Sequence, residues 1–160
     1  MKEIVLQNFF EGHAAVEELV ADVVRAFDRH VNSSGTVFSR LNSVPMNHEF
    51  AVASTDIMKL IDAVQTEKLT LEALDAICFC LEASDHFHWD TDTVDGERVA
   101  NSLFWLGTPE VNYPLTASAL GKVRRYLQTG EETFTDVDLR APGDRPYLVG
   151  GNEMHRDPGV

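Results

Sequence analysis

Apolar residues return at helical spacing after Gly12: Val16, Leu19, Val20, Val23, Val24, Phe27 and Val31, with Glu17, Glu18, Asp22, Arg25 and Arg29 elsewhere. The pattern predicts an amphipathic helix over 16–31. Asn32-Ser33-Ser34-Gly35 would end it, since Asn and Gly accept a left-handed cap. Ahead of it, Glu3–Phe10 reads as a short strand or an early helical turn. Behind it, Val37, Phe38 and Leu41 suggest one extended piece and Phe50-Ala51-Val52 another, while Pro45 argues against a continuous helix.

Regular helical periodicity resumes at Ser54 and Thr55. Both are N-cap residues, and Asp56 suits the first turn. Ile57, Leu60, Ile61 and Val64 form one apolar face. Thr70 offers the next cap, with Leu71, Leu74, Ile77, Cys78 and Leu81 as the following face. The two read as an αα-hairpin joined by Thr66–Leu69. A polar loop with aromatics, Ser84–Val94, precedes a helix starting at Asp95 or Gly96, with Val99 and Leu103 inward. Gly107-Thr108-Pro109 stops that helix. Thr116 caps a last one, whose core face is Leu120, Val123 and Leu127 and whose far end is Gly130.

The expected fold is therefore mainly α: a single-domain bundle of about five helices over 1–130, with room for a small β element in the N-terminal half. Periodicity collapses after Glu131, so 131–160 reads as an irregular tail. Phe134, Tyr147 and Leu148 are its candidate anchors.

Length and composition leave that picture intact. The chain has 160 residues, 44% of them hydrophobic, which is enough for one real core. No apolar run is long enough to span a membrane, and the N-terminus lacks the pattern of a secretion signal. Cys78 and Cys80 fall on different faces of one helix, so they read as reduced core thiols and place the protein in the cytoplasm.

Charge adds more. The net charge is −13, and between Glu49 and Glu97 twelve acidic side chains face only Lys59 and Lys68, a local −10. A single-sign field of this density repels nucleic acid and anionic membranes and steers basic partners inward. The one basic cluster, Lys122, Arg124 and Arg125, suits a helix C-terminal half and is too small to bind nucleic acid. It could instead meet the acidic middle, within the chain or across a homodimer.

The densest candidate chemistry is the run from Asp85 to Glu97. As a recognition loop it offers Trp89 as anchor, with Asp85, Asp90, Asp92, Asp95 and Glu97 to bind arginine or lysine. As a plain connection, Asp95 would cap the next helix while Phe87 and Trp89 fill the core. As a metal site it would use His86, His88 and Asp90. A calcium loop counted from Asp90 puts Asp95 where glycine is needed and Asn101 where glutamate is needed, so it is out of register. No GxSxG, HExxH, P-loop or GxGxxG is present, and no cofactor is called for.

The stretch LTLEALDAICFCLEASDHFHWD, the helix running into LGTPEVNYPLT, and the helix ending LQTGEETF together resemble the layout of small acidic bacterial immunity proteins. The resemblance covers about half the chain, roughly 50–130, and carries over no binding residues. It implies a cytoplasmic, non-catalytic inhibitor of a basic toxin. Three expectations follow: such a protein-binding protein, a small metal-dependent hydrolase or metal-binding protein using the His86/His88/Asp90 loop, and a secretion chaperone or self-assembling structural component.

Overall fold

The computed structural model describes residues 1–31, 37–109 and 112–139, and helices dominate it. Helix α1 is Glu3–Phe10 and α2 is Val16–Ala26. Strands β1 (Phe27–Val31) and β2 (Val37–Leu41) follow, then the two-residue strand β3 (Phe50–Ala51). Helices α3 (Ser54–Gln65) and α4 (Leu71–Ala83) form the expected hairpin. Strand β4 (Phe87–His88), α5 (Val94–Gly107) and α6 (Ala117–Thr129) complete the order, with a 3-10 turn at Asp136–Asp138.

Local signals place several boundaries. Thr70 accepts the Ala73 N–H at 3.1 Å and opens α4. Thr116 does the same for α6 through Ala119, also at 3.1 Å. Gly130 closes α6 in the left-handed region at φ 76°. A Cβ there would fall 2.8 Å from the Arg98 guanidinium, which itself donates to the Leu127 and Gln128 carbonyls at 3.3 and 3.4 Å.

Three boundaries differ from the sequence expectation. The helix over 16–31 ends at Ala26. The backbone of Phe27–Val31 is instead spent on an antiparallel ladder, from Phe27↔Leu41 to Val31↔Val37. The cap expected at Asn32–Gly35 lies outside the described residues. At α3, neither Ser54 nor Thr55 is the cap. Ala53 takes that position, and the Asp56 carboxylate reaches back to its N–H at 3.1 Å. At α5 the cap is Thr93, which accepts the Gly96 N–H at 3.0 Å, so the helix starts at Val94 rather than at Asp95 or Gly96.

The core draws on all six helices. Leu6, Leu19, Ile57, Leu60, Ile61, Leu74, Ile77, Leu81, Leu103 and Leu106 are fully buried, with Val123 and Leu127 from α6 beside them. Burying one such side chain stabilises the fold by about 1.5–3 kcal/mol. Strands β3 and β4 pair in parallel, Phe50↔Phe87 and Ala51↔His88, with the α3–α4 hairpin as their crossover. Stacked Phe10 and Phe50, and Phe87 edge-on to Phe50, seat this clasp on α1.

The start of the tail is fastened down. Asp138 bonds Lys122 of α6 at 2.6 Å, and the Phe134 ring stacks on Tyr113 at 3.8 Å beside Trp105. Phe134 is thus an anchor; Tyr147 and Leu148 lie outside the described residues. Among the described residues, no helix is long and apolar enough to cross a membrane.

Candidate functional site

The loop from α4 to α5 is built by its own backbone and short side chains. The Ser84 hydroxyl accepts the His86 N–H at 3.0 Å. The β3–β4 clasp then holds the chain, with Phe50 N–H donating to the His86 carbonyl and Val52 N–H to the His88 carbonyl, both at 2.8 Å. Phe87 is buried, and Trp89 packs half-buried against the core. An Asx turn follows, in which the Asp90 carboxylate accepts the Asp92 N–H at 3.0 Å. The Asp90 carbonyl takes both the Thr93 N–H and hydroxyl, at 3.0 and 2.7 Å. Gly96 is forced by this arrangement, because a Cβ on it would sit 1.9 Å from the Asp90 carbonyl oxygen. The glycine that mimics part of a calcium loop in sequence is therefore explained by close backbone packing.

This architecture leaves Asp85, Asp90, Asp92, Asp95 and Glu97 exposed, the last two in the first turn of α5. Asp95 is partly committed, since it accepts the Ser54 N–H at 3.1 Å and places negative charge at the start of α3. None of the ion pairs among the described residues involves any of these five carboxylates. The basic cluster on α6 is already engaged. Lys122 binds Asp138, Arg124 grips Asp62 of α3 at 2.8 and 3.3 Å, and Arg125 binds Glu131 at 2.6 Å. The Asp62 carboxylate raises the Arg124 pKa further. The anticipated contact between cluster and acidic middle is thus made within the chain, at Asp62.

His86, His88 and Asp90 do not gather. The His86 Nδ1 atom turns to Glu3, 3.1 Å from Oε2, while His88 is exposed. Among the described residues, no group of three or more His, Cys, Asp or Glu side chains is arranged to hold a metal ion.

The Glu3–His86 contact opens a second region. It borders a cavity of about 260 Å³ between the start of α1, the end of β2 and the end of α4. Glu3 is only 3% exposed, which makes it a buried carboxylate; it also accepts the Met46 N–H at 2.9 Å. Ser43, Cys80, Ser84 and Asp85 supply the remaining polar lining, and Leu41, Pro45, Phe79 and Ala83 the apolar walls. Burial raises the Cys80 pKa, outweighing the Ser43 hydroxyl 3.7 Å away. Burial raises Cys78 further, with Asp75 and Glu82 adding to it. Both are thiols at neutral pH and lack the thiolate a nucleophile needs. The His86 ring thus lies against a buried carboxylate at one side of the cavity.

Sequence reasoning found Asp85 and His86 but missed Glu3, Ser43 and Cys80, which lie far away in the chain. The only available signal was Glu3 itself, a charge heading the apolar run Ile4-Val5-Leu6. No protein-family model, curated protein or solved structure matches the chain.

Proposed function

We propose that this is a non-catalytic protein that binds a basic protein partner, in the manner of an immunity protein that inhibits a basic toxin. One observation carries the reading: Asp85, Asp90 and Asp92 on a loop braced by the β3–β4 clasp, and Asp95 and Glu97 in the first turn of α5, are exposed close in sequence to Trp89, with no ion pair to them among the described residues. A braced loop binds without first having to order itself. The local −10 accelerates encounter, and the aromatic anchor slows dissociation. The engaged state of Lys122, Arg124 and Arg125 favours an external cation over self-association through that cluster.

The test is affinity capture from the native host at low and moderate salt, followed by affinity measurement on the Asp90→Asn, Asp92→Asn double variant. A stoichiometric basic protein released by salt is expected. The variant should weaken binding by about three- to tenfold, as rim charges do, and flatten its salt dependence. Unchanged affinity at low salt would remove the loop from the interface.

A further inference from the structure

We infer that the cavity bounded by Glu3, Phe79, Asp85 and His86 receives one arginine side chain of the partner. This rests on the proposed binding of a basic protein and names the place of a single deep contact. At about 260 Å³ the cavity falls below the roughly 300 Å³ from which small-molecule sites usually begin, a size suited to one side chain. It is lined by the buried Glu3 carboxylate and the exposed Asp85, and among the described residues no lysine or arginine lines it.

The walls suit a guest that is apolar along its length and cationic at its tip. Leu41, Pro45 and Ala83 would face the methylene stem. Phe79 is a large aromatic left 58% exposed in the middle of α4, where its ring can take a cation. A guanidinium matches carboxylates with two parallel donors, which an ammonium cannot do. Asp85 belongs to both the cavity and the acidic loop, so a partner seated on the loop has the cavity within the same footprint. Val44, next to the lining residues Ser43 and Pro45, extends the apolar rim at 55% exposure.

The test uses Nα-acetyl-arginine amide as probe and its norleucine counterpart as the uncharged control, each titrated into isotope-labelled protein. Saturable amide shifts at Phe79, Asp85 and His86 are expected with the arginine probe. The norleucine probe should bind at least about tenfold more weakly, the usual discrimination of a charge-assisted contact. Ala83→Phe, which fills the cavity, should abolish the shifts, and the Asp90→Asn, Asp92→Asn variant should keep them. Equal binding of both probes, shifts confined to the loop after Asp90, or full binding by Ala83→Phe overturns the assignment. If Ala83→Phe does not fold, Asp85→Asn decides the matter, because its exposed carboxylate carries no core contact: unchanged arginine affinity overturns the assignment, and a loss of about threefold or more supports it. The titration needs no partner. Its failure leaves the loop's binding role standing, whereas failure to capture any basic protein sinks that role and leaves a cavity that still selects arginine.

Discussion

Gly96 shows how one residue can fix a surface. Its missing Cβ lets the first turn of α5 press against the Asp90 carbonyl, and that carbonyl anchors Thr93. Gly96→Ala should therefore destabilise the fold by about 1–3 kcal/mol, the usual cost of an overpacked contact. A denaturant midpoint measures this, and an unshifted midpoint would show that the loop yields freely. Glu67 is the opposite case. It holds a left-handed φ of 59° in the turn between α3 and α4, a region that non-glycine residues enter at a cost. Glu67→Asn keeps the turn with a residue that tolerates it and should raise stability by about 0.5–1 kcal/mol, read as a higher melting temperature.

At the scale of elements, Arg98 acts as a side-chain cap for a helix other than its own. Its guanidinium takes two terminal carbonyls of α6 and complements the negative end of that helix. Arg98→Ala should cost about 1–2 kcal/mol and speed amide exchange over the last turn of α6 while leaving α3 unchanged. Element identity was legible wherever the information is local. Thr70, Thr116 and Gly130 act where they stand, and the apolar faces of α3, α4 and α6 follow simple periodicity. What escaped was non-local. Phe27 and Val31 continue the helical period of α2, yet their backbone pairs with β2 because a partner strand lies beside it. Asp95 looks like a cap, but its carboxylate serves Ser54 on another helix. The loop of exposed carboxylates could be read from sequence; the meeting of Glu3 with His86 joins the first turn of α1 to the loop after α4 and leaves no periodic trace.

Across the whole molecule, charge is distributed unevenly. Of the α6 cations only Arg124 reaches the acidic middle, at Asp62, which leaves most of that charge uncompensated. One sign of that field is Glu82, whose pKa is raised by burial and then by nearby Asp75. The tail records the reverse. Lys122, then Thr135, holds the Asp138 carboxyl below its ordinary value. A carboxylate with a depressed folded pKa stabilises the docked state at neutral pH, and that contribution is lost as the pH falls through the carboxylate range. Acidification below about pH 4 should loosen the segment carrying Phe134 from Trp105, changing Trp105 emission in a Trp89→Phe background. Lys122→Met should remove this step, and an identical acid transition in that variant would assign it to other groups.

The β3–β4 clasp has a kinetic consequence. It joins Phe50 to Phe87 across the entire α3–α4 hairpin, and a two-residue ladder recovers little of the chain entropy that such a closure costs. The hairpin can condense from nearby contacts, whereas the clasp must await a surface to close upon. The acidic loop is therefore expected to acquire its shape late, after the transition state for folding. Substitutions at Phe87 should accelerate unfolding far more than they slow folding, and equal effects on both rates would place the clasp inside the transition state.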